Sequence, residues 1–256
     1  LLTKVIDPQG NTVTLTYDTN LLLVSISDAI GQVTTLSYGV LQGENGLGNR
    51  FAVTNVTDPF GRSATFEYGL VLVGHSYIIV NGVVVSDNPI YDWFLSKITD
   101  VVGLTSQMQY GPAGFVLETP NKVLLSITVS SLITPYGTNT FLVGNGPSTN
   151  ATMRYVETHY PDGSRERVEY NQAANVPTSD PQASVPTGMP VINGFLEARN
   201  TYYWDRNACA QAYGNYGKAR RFHWLHTSNL TMTSGILEST KPPLENRVWY
   251  NYAGQS

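Results

Sequence analysis

Cysteine and charge are both scarce in this sequence, and each shortage excludes a class of function. Cys209 is the single cysteine, so no intramolecular disulfide can form, and no cluster of cysteine and histidine has the spacing of a zinc site. Charged residues make up 13% of the chain, with a formal net charge of −4 and no basic run that could neutralise a row of phosphates. We therefore expect no metal, no cofactor and no nucleic-acid partner.

Long apolar segments are also missing. No run reaches the roughly 18 residues that a membrane-spanning helix requires. The first residues lack the basic start and apolar core of a signal peptide. Because the sequence starts at Leu1 and not at methionine, we expect a piece of a longer protein, with any export signal outside this chain.

Glycine, proline and tyrosine are abundant instead, with 23, 14 and 16 copies. Together with frequent valine and threonine, they are typical of pleated strands joined by tight turns. The composition therefore predicts an all-β fold.

Internal repetition is the strongest feature of the sequence. Four Asp-x-x-Gly segments each have a tyrosine seven residues after the glycine: Asp7 to Gly10 with Tyr17, Asp28 to Gly31 with Tyr38, Asp58 to Gly61 with Tyr68, and Asp100 to Gly103 with Tyr110. An apolar residue stands five residues after each glycine, at Leu15, Leu36, Phe66 and Met108. Apolar residues also stand two and five residues before each aspartate, at Val5, Ile26, Val56 and Ile98 and at Leu2, Leu23, Val53 and Leu95. The regular spacing indicates one structural unit that is used four times.

Two weaker copies follow the four regular ones. In the fifth, Gly137 keeps the turn, but Gly144 stands where the tyrosine should be. In the sixth, Gly163 keeps the turn, and Tyr170 stands seven residues after it. We expect the fifth copy to have lost its tyrosine contact and the sixth to have kept its strands.

Each unit has the chemistry of a β-hairpin. The aspartate side chain can accept hydrogen bonds from nearby backbone N–H groups, and the glycine tolerates a positive φ, so Asp-x-x-Gly predicts a turn. The apolar residue and the tyrosine that follow are two apart and therefore share one face of a strand. Because an isolated hairpin is marginally stable in water, the tandem hairpins should pair edge to edge into one long, curved antiparallel sheet. Its tyrosines should point to one common, buried face.

This pattern resembles the YD repeats of bacterial RHS proteins and the related β-shells of insecticidal toxin complexes and teneurins. The resemblance rests on the repeats over residues 1–170, on Tyr17-Asp18 and on the segment 110–116; residues 199–205 and 244–252 are similar to segments between repeats in such proteins. In that family the repeats wind a β-strip into a hollow cocoon, which often encloses a toxic C-terminal domain of the same chain. Two departures stand out: of the repeat tyrosines only Tyr17 is followed by aspartate, and six units are too few to close a cocoon.

The resemblance implies a structural role without catalysis. The chain would be a section of a β-cocoon shell in a large bacterial protein of the polymorphic-toxin type, secreted or on the cell surface. Its partners would be the remainder of the same chain and the C-terminal cargo.

The spacing of the repeats also predicts how the chain is organised. Residues 1–170 hold the hairpin repeats, with a loop insertion at 39–50 and a second insertion at 69–92, in which residues 77–85 read as an extra hairpin around Asn81-Gly82. Residues 171–194 contain four prolines without apolar periodicity and read as a loop. Residues 195–256 are an aromatic-rich continuation of the shell.

Three residues outside the repeats are candidates for catalysis or metal binding. His223 and His226 are three apart, a spacing that holds a metal only when a third ligand converges, and no such ligand can be named. Cys209 lies in a short segment that Asp205 would cap as a helix, and a buried, inert thiol is the expected state. Since no nucleophile, base and oxyanion donors can be assembled, we expect no enzyme.

Carbohydrate binding at a cell surface is the alternative function. Aromatic side chains stack against sugar rings, but they also fill the space between strands. The candidates for ligand stacking are Tyr202, Tyr203, Trp204 and Trp224.

Overall fold

The structure is a computed structural model that describes residues 1–43, 49–145, 153–176, 186–188, 196–226 and 233–253. Its strands are β1 (Lys4–Ile6), β2 (Thr12–Tyr17), β3 (Leu23–Ser27), β4 (Val33–Leu41), β5 (Arg50–Thr57), β6 (Ser63–Val80), β7 (Val83–Thr99), β8 (Thr105–Thr119), β9 (Lys122–Thr134), β10 (Gly137–Asn145), β11 (Met153–His159), β12 (Arg165–Asn171), β13 (Asn200–Trp204), β14 (Arg220–His226), β15 (Thr233–Lys241) and β16 (Val248–Trp249). Helix α1 (Arg206–Ala212) and one 3-10 turn (Tyr216–Lys218) are the helical elements of the described ranges. The predicted all-β fold class is confirmed.

The chain divides into two compact units, Leu1–Gly137 and Thr138–Ser256. The sixth repeat copy, which the sequence pattern groups with the first five, therefore belongs to the second unit. Of the proline-rich segment 171–194, residues 177–185 and 189–194 lie outside the described ranges. No helix in the described part of the chain is both long and apolar enough to cross a membrane.

The first unit is an antiparallel sheet in which β1 to β9 follow one another in sequence order. The predicted insertion hairpin is present at the tip of β6 and β7, where Asn81 and Gly82 have φ values of 51° and 79°. Strand β6 also pairs with β9 around Gly74, where a Cβ would lie 2.2 Å from the carbonyl oxygen of Val123. Only glycine permits this close approach of two backbones.

The second unit is an antiparallel sheet of β10 to β16, with α1 packed against β12 and β13. The helix begins as the sequence predicts, because the Asp205 side chain accepts a hydrogen bond of 2.8 Å from the N–H of Ala208. The core of the second unit lies under this helix and consists of Val176, Tyr202, Trp204, Cys209 and Ala219. This unit therefore carries a buried core, whereas the described residues of the first unit include only three buried ones, Gly74, Ala113 and Ser131.

Candidate functional site

The four aspartate turns share one hydrogen-bonding pattern. In the first, Oδ1 of Asp7 accepts from the N–H of Gln9 at 2.9 Å and of Asn11 at 2.8 Å, and the N–H of Gly10 donates to the carbonyl of Asp7 at 3.0 Å. The same bonds recur at the other three turns, which begin at Asp28, Asp58 and Asp100. The turn glycines all have φ between 78° and 89°: Gly10, Gly31, Gly61 and Gly103.

A fifth turn of the same kind has no glycine. Oδ1 of Asp18 accepts from the N–H of Asn20 at 2.9 Å and of Leu22 at 2.8 Å, and the N–H of Leu21 donates to the carbonyl of Asp18 at 3.1 Å. Leu21 occupies the glycine position with a φ of 63°. The aspartate of the Tyr17-Asp18 pair is thus a turn residue that joins two units.

The repeat tyrosines reach back over the hairpins that precede them. Each hydroxyl donates to the carbonyl oxygen 15 residues earlier, at 2.7 to 2.9 Å; the pairs are Tyr17 to Leu2, Tyr38 to Leu23, Tyr68 to Val53 and Tyr110 to Leu95. Every acceptor is the apolar residue that stands five before the turn aspartate. All four tyrosines are only partly buried, so the expectation of a buried face is wrong in degree. The reason is that the described residues of the first compact unit, Leu1–Gly137, form almost no closed core against which the tyrosines could pack.

Successive units join through a repeated β-bulge. At each junction the apolar residue after the turn pairs with the apolar residue two before the first residue of the next turn: Leu15 with Ile26, Leu36 with Val56, Phe66 with Ile98 and Met108 with Leu132. The tyrosine, two residues after that apolar residue, pairs with the residue three positions before the apolar partner on the other strand. One residue of the partner strand therefore stays unpaired: Val24, Thr54, Ser96 or Ser130. The register is pinned by these bulges, which are local insertions that bend the strand and increase its twist.

The fifth and sixth copies depart from this arrangement. At the Gly144 position a Cβ would lie 2.7 Å from Cζ of Tyr155, because the ring of Tyr155 covers the space that a tyrosine would need. Gly137 and Gly163 keep positive φ values of 123° and 80° at their turns. Tyr170 pairs with Arg154 and Thr201 in straight register, without a bulge. Tyr170 is therefore a strand residue that lies outside the tyrosine arrangement of the first four units.

A further copy, which the turn pattern does not reveal, ends the chain. The hydroxyl of Tyr252 donates to the carbonyl of Leu237, again 15 residues earlier, at 2.7 Å. The N–H of Tyr250 donates to the carbonyl of Glu238 at 3.0 Å. This bond corresponds to the one from the N–H of Leu15 to the carbonyl of Thr3 in the first repeat. Pro242 and Glu245 stand where the aspartate and glycine would be. The signal in the sequence is the 15-residue leucine-to-tyrosine spacing.

The four aromatic residues predicted to stack on a ligand are divided between two environments. Tyr202 and Trp204 are 0% and 1% exposed and pack against Tyr216 with ring centroids 4.7 and 5.4 Å away, so they belong to the core. Tyr203 and Trp224 are partly buried and donate hydrogen bonds to Glu166 and Thr201. The structure does not bring the four together on one open surface.

A cluster of buried charge lies between the sheet of the second unit and the segment that carries α1. Glu157 accepts hydrogen bonds from Tyr213, His159 and Arg167, and Glu169 accepts one from Tyr216 at 2.7 Å. Burial alone would raise the pKa of Glu157, but these hydrogen bonds outweigh it and lower the pKa below its usual value. Burial, together with the bond to Glu169, raises the pKa of Tyr216 to about 12.

A second buried polar group crosses β13, β14 and β15. Asn200, His223 and Ser239 are directly opposite one another on the three strands, and all are 0% exposed. Glu238, 1% exposed, has no partner on β14 because the register shifts there, and its Oε2 lies 3.3 Å from Nε2 of His223. The sequence singled out His223 but gave no sign of its two partners, which come from separate strands.

Cys209 is buried in the core with its thiol directed at the carbonyl of Trp204, and burial raises the pKa of this thiol, which disfavours the reactive thiolate. The side chain of His226 lies outside the described part. Cys209 also lines one open depression of the second unit, together with His159, Arg165 and Arg206, and another open depression lies at α1 with residues 242–245. Among the described residues, no three His, Cys, Asp or Glu side chains are grouped to hold a metal ion.

No protein-family model matches the chain, and no curated protein matches it at a significant level.

Proposed function

We propose that this chain is a structural section of a YD/RHS-type repeat shell and has no catalytic activity of its own. The observation that carries the proposal is the tyrosine contact across 15 residues, made by four successive units and again by Tyr252. A unit that closes over its own hairpin and offers a fixed register to the next unit can be added repeatedly, which is how an extended β-strip grows.

The shell belongs to a large secreted or cell-surface protein of the polymorphic-toxin type, and its partners are the rest of that protein and a C-terminal cargo. The resemblance of the repeats to RHS and YD shells supports this part. Carbohydrate binding is the weaker alternative, because Tyr202 and Trp204 are core residues and only Tyr203 and Trp224 remain partly accessible.

Electron cryomicroscopy of the full-length protein tests the proposal. We expect the hairpin units to form part of the wall of a hollow shell, with additional density for the cargo inside. A protease added to the intact protein should then leave the polypeptide beyond Ser256 uncut until the shell is unfolded. An arrangement in which this chain is a separate module outside any enclosure would contradict the proposal.

A paired measurement of stability and activity tests the absence of catalysis. Tyr68→Ala removes a partly buried tyrosine and should lower stability by less than the roughly 3–5 kcal/mol typical of a fully buried aromatic residue. Tyr136→Ala is the matched control, since this tyrosine is 82% exposed at a turn of the same unit. Cys209→Ala and His223→Gln should alter melting while leaving any toxicity of the full-length protein unchanged under conditions where the variants stay folded. Loss of activity at His223 with unchanged melting would establish an enzyme instead.

A further inference from the structure

The hydrogen bonds around His223 fix the position of its protons. The side-chain NH₂ of Asn200 donates to the carbonyl of Leu196 at 2.8 Å, which directs Oδ1 of Asn200 at Nδ1 of His223, 2.9 Å away. Since an amide oxygen can only accept, Nδ1 must carry a proton. Any further proton of the ring must therefore sit on Nε2, which faces Glu238 at 3.3 Å.

The gap between Nε2 and Oε2 accommodates one proton. With one proton present, either a carboxylic acid donates to the neutral imidazole or an imidazolium donates to the carboxylate, and the buried pair is neutral overall. Without it, the lone pair of Nε2 faces a buried carboxylate, so two electron-rich groups oppose each other out of contact with water. With two, the pair carries a buried positive charge.

From this geometry we infer that His223 and Glu238 share one proton, and that the shared proton is a pH-sensitive latch that holds β15 against β14. The bulge at Glu238 is what places the carboxyl group on the same buried face as the imidazole. Among the described residues, two arginines lie close to the pair in the sheet: Arg221, which is buried two residues before His223 on β14, and Arg247, whose Nη1 donates to Oγ of Ser239 at 2.9 Å. Asn200 on β13 is neutral.

The raised pKa of Glu238 agrees with a carboxyl group that holds a proton facing His223. Burial raises its pKa to about 7, and the charge of Arg247 opposes this only in part. A carboxyl group whose pKa is raised on folding contributes stability that is complete below its unfolded pKa of 4.5 and is lost as the pH rises through about 7. In the unfolded chain the histidine holds a proton up to about pH 6.5, so the stability that the pair contributes is constant from about pH 4.5 to about pH 6.5 and is lost as the pH rises above that range.

Three pH profiles of urea unfolding of the 256-residue chain test the latch. The wild-type pair should contribute a constant stability from about pH 4.5 to about pH 6.5 and lose it at higher pH. His223→Gln leaves Glu238 without the compensating histidine, so its loss of stability should already begin as the pH rises above about 4.5. Glu238→Gln presents an amide to Nε2 and leaves no place for a second proton, so this variant should lose stability as the pH falls below about 6.5, where the unfolded histidine gains one. Glu245→Gln, at an exposed position, should follow the wild type.

Tryptophan fluorescence assigns the change to the correct unit, because Trp204, Trp224 and Trp249 lie in the second unit and Trp93 alone lies in the first. Identical pH profiles for the wild type and both pair variants would overturn the inference. If a variant does not fold, nitrogen NMR of the wild-type histidines decides: Nδ1 of His223 should stay protonated throughout, while the Nε2 signal changes once near neutral pH. A deprotonated Nδ1 would also overturn it.

Discussion

Leu21 holds a backbone conformation that leucine disfavours, and replacing it by glycine should stabilise the protein. Its φ is 63°, in the position where the regular units have glycine. The left-handed region costs an L-residue with a Cβ about 1–2 kcal/mol. The glycine substitution would also cost about 0.4–1 kcal/mol of stability, because glycine increases the conformational entropy of the unfolded chain. Because Leu21 is 65% exposed, little burial is lost. The expected net gain is therefore about 0.5–1 kcal/mol.

Two matched variants separate backbone strain from side-chain effects. Gly31→Leu makes the reverse change in the Asp28 turn, where φ is 85° and a Cβ would meet no atom within 4 Å, so it should destabilise by the same net amount of about 0.5–1 kcal/mol. Ile30→Gly, at an 80% exposed position of the same turn with ordinary φ, should destabilise by about 0.4–1 kcal/mol. Urea unfolding at one temperature measures all three. If Leu21→Gly destabilises as much as Ile30→Gly does, the positive φ of Leu21 does not lower the stability of the protein, and the reasoning is refuted.

Three further changes address the tyrosine contact, the decayed copy and the buried charge. Tyr68→Phe removes the hydroxyl bond of 2.9 Å to Val53 and should lower the free energy of unfolding by about 0.5–1.5 kcal/mol, while Tyr136→Phe should have no effect in the same assay. Gly144→Ala forces the ring of Tyr155 to move and should destabilise by about 1–3 kcal/mol, whereas Gly235→Ala, with no atom near its Cβ, should be neutral or slightly stabilising; a penalty that survives in a Tyr155→Ala background would refute the clash. The lowered pKa of Glu157 contributes stability that is present above its unfolded pKa of 4.5 and is lost as the pH falls, so Glu157→Gln should flatten the acid limb of the stability profile followed by circular dichroism.

Local chemistry explains which parts of the fold could be predicted from the sequence. The turns at Asp7, Asp28, Asp58 and Asp100 need only residues within four positions of one another, so composition and spacing are sufficient to predict them. The register between repeats follows from the same spacing, because the apolar residue after one turn pairs with the apolar residue before the next turn. The turn at Asp18 escaped prediction because Leu21 stands where a glycine was required.

The buried polar groups of the second unit could not be predicted in the same way. Asn200, His223 and Glu238 are brought together by strand register and by one bulge, neither of which has a local signal. The short segment between Asp205 and Tyr213 was predicted to be helical, and it is, but the sequence does not show that its tyrosine meets Glu157. Long-range partners of this kind depend on the whole sheet.

The copy at Tyr252 shows that the tyrosine junction of a repeat does not depend on the residues of its turn. The contact to Leu237 and the bond from Tyr250 to Glu238 are present although proline and glutamate have replaced the turn aspartate and glycine. The junction can therefore be kept without the aspartate and glycine of the turn, and further copies can also be sought by a tyrosine with an apolar residue 15 positions before it. At this junction the unpaired residue of the bulge is free to vary: it is Val24, Thr54, Ser96 or Ser130 in the first unit and Glu238 in the second. A bulged residue makes no ladder hydrogen bond that fixes its type. The same position that holds an ordinary side chain between repeats can therefore place a carboxyl group against His223 without disturbing the register of the strands around it.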